Sequence, residues 1–171
     1  MAQFDEPTYH RVQSTMVGFA VSREEVVLAA PLPDFFSKLA REKGTSVDRA
    51  FFEVLKRTYP ESVWPAYNQR QTDYSGCVIF DGKNLTILYG AWLGFQKSYP
   101  ERYRRAAQQE STAIEQALMS TCACGGDDGV MKELETFSEA YPTSRIADQV
   151  ASRLQAVKNH TSGIRFYCEP R

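Results

Sequence analysis

The chain has 171 residues, 43% of them hydrophobic and 24% charged, with a formal net charge of −1. That is enough apolar material for a packed core, and the near-neutral balance argues against sequence-independent nucleic-acid binding, which needs a basic surplus. No apolar run approaches the length of a membrane span.

Residues 1–13 are polar, contain Pro7 and show no clear periodicity, so they read as a loop or flexible lead-in. Residues 14–21 fit a short strand or the approach to a helix. Ser22-Arg23-Glu24-Glu25 has the form of a capping box and predicts a short helix over 23–30, ended by Pro31 and Pro33. Asp34 then looks like an N-cap, with Phe35, Phe36, Leu39 and Ala40 on one helix face. Gly44 sits where a left-handed C-terminal residue belongs. From Thr45 or Ser46, the positions Val47, Ala50, Phe51, Val54 and Leu55 repeat at helical spacing to about Thr58. Residues 34–58 thus read as an αα-hairpin.

Residues 59–76 are irregular and aromatic. Cys77-Val78-Ile79-Phe80 and Leu85-Thr86-Ile87-Leu88-Tyr89 flank Asp81-Gly82, which predicts a β-hairpin. The tail Gly163–Cys168 is a candidate third strand. Trp92, Phe95 and Tyr99 fit a helical stripe after Gly90. Pro100 fits the first turn of a long helix running to about Ser120, with Tyr103, Ala106, Ala107, Ile114, Ala117 and Leu118 on one face. Asp128 is placed to cap a helix over 129–141, and Ser144 to cap a last one carrying Ile146, Val150, Leu154 and Val157. Tyr59-Pro60, Tyr99-Pro100 and Tyr141-Pro142 recur at about 40-residue intervals, each at a helix end.

Between the two halves lies Cys122-Ala123-Cys124-Gly125-Gly126-Asp127-Asp128-Gly129, a stretch through which no helix continues. The four cysteines are Cys77, Cys122, Cys124 and Cys168. Bonding Cys122 to Cys124 would close a very tight ring. Two disulfides therefore tie each of Cys122 and Cys124 to one of Cys77 and Cys168, in either arrangement. A four-thiolate zinc site is the rival, although the chain has no Cys-x2-Cys pair; four reduced thiols are the third option. Disulfides favour a periplasmic or secreted home. The N-terminus lacks the basic and apolar regions of a signal peptide. A secreted form would therefore be a mature domain with its signal removed; the alternative is cytoplasmic.

The stretch Leu134-Glu135-Thr136-Phe137-Ser138-Glu139-Ala140-Tyr141-Pro142-Thr143-Ser144-Arg145-Ile146-Ala147-Asp148-Gln149-Val150 resembles the helix-turn-helix step of tetratricopeptide-like repeats. It is similar in particular to those of bacterial envelope assembly lipoproteins and accessory proteins. The likeness covers residues 130–157 and implies protein binding in the envelope without catalysis.

Candidate chemistry is sparse. A nucleophilic cysteine needs a base, and the only histidines are His10 and His160. Asp127 and Asp128 are adjacent and point apart, unlike alternating calcium ligands. They would also repel a phosphate at the helix start. Lys97, Arg102, Arg104 and Arg105 form one basic cluster, able to meet an acidic partner or to be a solvated helix face. Asn84 and Asn159 open formal glycosylation sequons. Residues 59–103 hold ten aromatic side chains, about half the total. Trp64, Tyr67, Tyr74, Tyr89 and Trp92 are the partner-binding candidates from that region.

The expected fold is a single α+β domain over 1–171, mostly α, a helical bundle with a small antiparallel hairpin. The expected function is non-catalytic protein binding in the bacterial envelope or secreted space, most concretely an immunity or inhibitor protein acting on a secreted effector. No cofactor, metal or nucleic-acid partner is expected. The alternatives are a tetratricopeptide-like adaptor and a cysteine- or zinc-dependent enzyme.

Overall fold

The structure, a computed structural model, describes residues 5–23, 27–60, 64–70 and 76–168. It divides into two compact units, Met1–Pro65 and Ala66–Arg171, each described by itself. Seven helices and two short antiparallel strand pairs are present among the described residues, which is the mostly helical α+β class expected.

The first unit opens with α1 (Glu6–Thr15), where a loop was expected. The Asp5 side chain accepts from Thr8 N at 2.9 Å, and Pro7 occupies the first turn. These are sound helix-start signals. They went unread because α1 buries no residue and so shows no apolar stripe. β1 (Phe19–Arg23) pairs with β2 (Val27–Pro31), Phe19 opposite Pro31 and Val21 opposite Ala29. This corrects the helix expected over 23–30; Glu24 and Glu25 of the supposed capping box lie outside the described residues. Val27–Pro31 is only five residues long and already ends on a proline, whereas antiparallel pairing with β1 satisfies its backbone. Gly18 turns the chain into β1 at φ 83°, where a Cβ would come within 2.4 Å of the Phe35 ring.

α2 (Pro33–Lys43) and α3 (Ser46–Thr58) form the expected helical hairpin. Asp34 is not its N-cap: Leu32 holds that place with Pro33 at the first turn, and Asp34 instead meets Lys56 of α3. Nor is Gly44 left-handed; it is extended at φ −84° and ψ 163°. α3 is started by a full capping box between Thr45 and Asp48, so no left-handed turn is needed. A Cβ at Gly44 would still lie 2.6 Å from the Ala40 carbonyl oxygen. Phe36 stacks on Phe52 at 5.7 Å and meets Phe19 edge-on at 5.4 Å.

The second unit begins with β3 (Asn68–Arg70) against β4 (Gly76–Val78). The β-hairpin expected at Asp81-Gly82 is absent: Leu85–Tyr89 belongs to α4 (Asn84–Ser98). Asp81 Oδ1 accepts from Lys83 N and Asn84 N, so this acid starts a helix rather than turning a hairpin. Leu85, Leu88, Tyr89, Trp92 and Phe95 are all buried, a period near 3.6 that outlasts the five β-prone residues at its start. α4 is apolar on most sides, as befits a central helix, and packs against α5 (Arg104–Leu118) and α6 (Asp127–Ala140). α7 (Ala147–Lys158) packs on α6.

Three caps differ from expectation. Pro100 does not open α5, which starts at Arg104 after Tyr103 adopts φ 51°. Gly126, rather than Asp128, is the N-cap of α6, and both Asp127 and Asp128 stand in its first turn, where negative charge is favoured. Ser144 does not cap α7, whose N-cap is Ile146. The three Tyr-Pro steps do end helices. Tyr59, Tyr99 and Tyr141 are the C-caps of α3, α4 and α6, with φ between −125° and −138°. The following proline drives each out of the helical region.

All four cysteines are paired, Cys77 with Cys124 and Cys122 with Cys168, at Cα separations of 5.1 and 5.9 Å. The first bond closes a loop holding α4 and α5; the second closes one holding α6 and α7. Residues 121–125 form the shared base. Cys124 N donates to Val78 O at 2.9 Å and Val78 N to Cys122 O at 3.1 Å. On the other side Ala123 N donates to Arg165 O, and Arg165 N to Thr121 O, both at 2.9 Å. The tail thus joins the strand layer, but through the cysteine loop in parallel register rather than on a hairpin at 77–89.

Candidate functional site

Burial sorts the aromatic candidates. Trp92 has no exposed surface, and Tyr67 and Tyr89 are 3% and 4% exposed. Side chains so enclosed build the core and present almost nothing to a partner. Trp64 is half-buried, and Tyr74 lies outside the described residues. The aromatic enrichment of 59–103 is therefore largely a property of α4 and its neighbours.

The second unit instead offers a cleft of about 440 Å³, of mixed polar and apolar lining, where α4, α5 and the α6–α7 corner meet. α4 contributes Tyr89 and Gln96, α5 contributes Gln108, Thr112 and Glu115, and the corner contributes Arg145. At its floor, Glu115 is 5% exposed. Arg145 Nε donates to both carboxylate oxygens, at 2.9 and 2.7 Å, and its Nη2 reaches Glu115 and, at 2.7 Å, Thr112 Oγ1. Tyr89 OH donates to Glu115 Oε1 at 2.9 Å. Burial, together with that hydrogen bond, pushes the Tyr89 phenol up to about 12. The Glu115 contacts raise the Arg145 guanidinium above its ordinary value. Both oxygens of Glu115 are engaged, so this carboxylate fixes Arg145 at the cleft.

A second buried acid, Glu133 of α6, accepts from Thr86 N at 2.9 Å and Thr86 Oγ1 at 2.8 Å. It caps the start of α4 from within the core, and burial raises its carboxyl. Two further depressions of similar volume share lining residues with the cleft along α5. One is bordered by Arg105, Gln109, Thr112 and Gln116, the other by Tyr99, Glu101 and Arg104. Gln108 borders all three.

His10 is exposed on α1 with Nε2 3.2 Å from Glu6, and His160 is exposed beyond α7. Neither faces a free thiol, since every cysteine is bonded. Among the described residues no three His, Cys, Asp or Glu side chains converge as metal ligands would. Among those same residues no helix is long and apolar enough to cross a membrane. Asn84 opens α4 and Asn159 ends α7.

The Glu115–Arg145 pair was not anticipated from the sequence. Its one local signal is an acid on the inward arc of α5, beside Ile114 and one turn after Ser111. The partner is 30 residues away, beyond the reach of periodicity. Comparison with known protein families, with curated proteins and with solved structures finds no match to this chain.

Proposed function

We propose that this chain is a non-catalytic protein-binding domain of an oxidising compartment outside the cytoplasm. The observation that carries the reading is the α5 face: three adjoining depressions that share Gln108 and are rimmed by amide, hydroxyl and guanidinium groups. Such groups give a directional polar surface on a rigid support. The support is rigid because the helical hairpin α4–α5 is closed at its base by Cys77–Cys124. The disulfides favour the periplasm or the secreted space. In concrete form the domain is an immunity or inhibitor protein that blocks a secreted effector.

A tetratricopeptide-like adaptor is the second reading. It is favoured by the corners of α4–α5 and α6–α7, each placed just after a Tyr-Pro step. An inhibitor holds one partner and silences it, whereas an adaptor bridges two. Oxidised, tagged protein should recover a specific partner from the native host, and Gln108→Trp should cut that recovery at least tenfold with an unchanged melting temperature. Repeated recovery of no protein, or equal recovery by the variant, would overturn the reading.

A further inference from the structure

Lys97, Arg102, Arg104 and Arg105 lie within nine residues at the junction of α4 and α5. All four are exposed, and none has a side-chain hydrogen bond or ion pair among the described residues. Glu101 is the only carboxylate in the same stretch, in a chain whose overall charge is −1. The arginines are also placed against local stability. Arg104 and Arg105 fill the first turn of α5, which holds no acid. That is the positive end of the helix, where cations are unfavourable. Tyr103, 38% exposed, stands between the arginines. It is a large amphipathic side chain of the kind that dominates protein contacts. Arg104 and Arg105 each border one of the depressions that meet at Gln108.

We propose that the strip formed by Lys97, Arg102, Tyr103, Arg104 and Arg105 docks an acidic segment of a protein partner, which continues along α5 over Gln108. The inference rests on the protein-binding reading and names the chemistry of the partner. A partner's carboxylates would neutralise these cations and offset their unfavourable place at the helix start. Guanidinium groups suit this role, since each can take a carboxylate through two parallel N–H donors.

The test uses the oxidised full chain and a fluorescein-labelled hexaglutamate peptide, followed by anisotropy. Binding should be measurable at low salt and fall steeply as salt rises. Arg104→Glu/Arg105→Glu should weaken it at least tenfold. The same double variant should melt at an equal or higher temperature, because acids now occupy the first turn of α5. Arg11→Glu/Lys38→Glu makes the same charge change in the first unit and should leave binding within twofold. Absent binding, or equal loss in both double variants, would overturn the proposal. So would equal or tighter binding of a hexathymidylate, which would make the strip a general polyanion patch. If a partner captured from the host binds the Arg104/Arg105 variant unchanged, this inference fails and the protein-binding reading stands. If hexaglutamate binds as expected but no host protein is ever recovered, the reading fails and the carboxylate preference stands.

Discussion

Of the twelve largest fully enclosed side chains among the described residues, eleven lie beyond residue 66 and only Thr58 lies before it. The first unit gathers Phe19, Phe35, Phe36 and Phe52 into a ring cluster, yet each of these stays half-exposed. The second encloses Trp92, Phe137, Leu85, Ile114 and Leu118 outright. It also holds every cysteine. Aromatic content is therefore a poor guide to where stability resides. What separates the units is whether helices close around their apolar faces: the second unit has four helices to do so, whereas the first has three, of which α1 buries no residue. The units should consequently respond very differently to the same kind of damage.

The largest difference is expected from the disulfides. Replacing Cys77 and Cys124 by Ser opens a loop of 47 residues and should cost about 4 kcal/mol on the loop-entropy estimate. Hydrogen exchange should then show protection lost in residues 66–171 and kept in 1–65; loss spread evenly over both would erase the distinction. Trp92→Ala should cost about 4 kcal/mol, against about 2 kcal/mol for Phe36→Ala, read from denaturant midpoints. Equal costs would mean that the first unit packs as tightly as the second.

Glu133→Ala leaves the Thr86 N–H and hydroxyl unpartnered inside the core and should cost about 3 kcal/mol. Glu133→Gln keeps an acceptor for them. Because burial raises the Glu133 carboxyl in the fold, its stabilising contribution is full at low pH and is lost as pH rises through the folded value. The Gln variant should therefore gain on the native chain as pH rises above the ordinary carboxyl range; a constant gap would overturn this reading of Glu133. The smallest effect is that of Tyr89→Phe, about 1.5 kcal/mol for one buried hydrogen bond to a charged acceptor. The Tyr89 phenol is raised to about 12. Native stability should fall as pH climbs from about 10 towards 12, and the Phe variant should fall less steeply.

Legibility in the sequence followed the range of the interaction. Helices with a one-sided apolar stripe, α2, α3, α6 and α7, were readable because the stripe is local. α1 was missed because it buries nothing. α4 was misread at its start because Leu-Thr-Ile-Leu-Tyr after Asp-Gly is β-prone in isolation, and only the buried run through Trp92 and Phe95 decides for a helix. Cap assignments failed at Asp34, Asp128 and Ser144, where Leu32, Gly126 and Ile146, each two residues away, hold the position. The cysteine pairing was narrowed to two arrangements by ring size, but choosing between them required the register of Val78 and Arg165 against residues 121–125. Tyr67, Tyr89 and Trp92 turned inward for a related reason: composition reports how many rings there are, and only tertiary packing reports which way they face. The basic cluster was visible as a cluster, whereas its position against the polarity of α5 depended on where that helix begins.

The shared base of the two disulfide loops also bears on the order of assembly. Residues 121–125 meet strand β4 and the tail across separations of more than 40 residues, so these pairings carry a high loop-closure cost. The helical hairpins α4–α5 and α6–α7 are local and can form first, carrying Cys77 towards Cys124 and Cys168 towards Cys122. A swapped arrangement would require both flanking segments to slide by two residues along Ala123 and lose their backbone hydrogen bonds. The backbone register thereby favours the observed cysteine pairing over the swapped one.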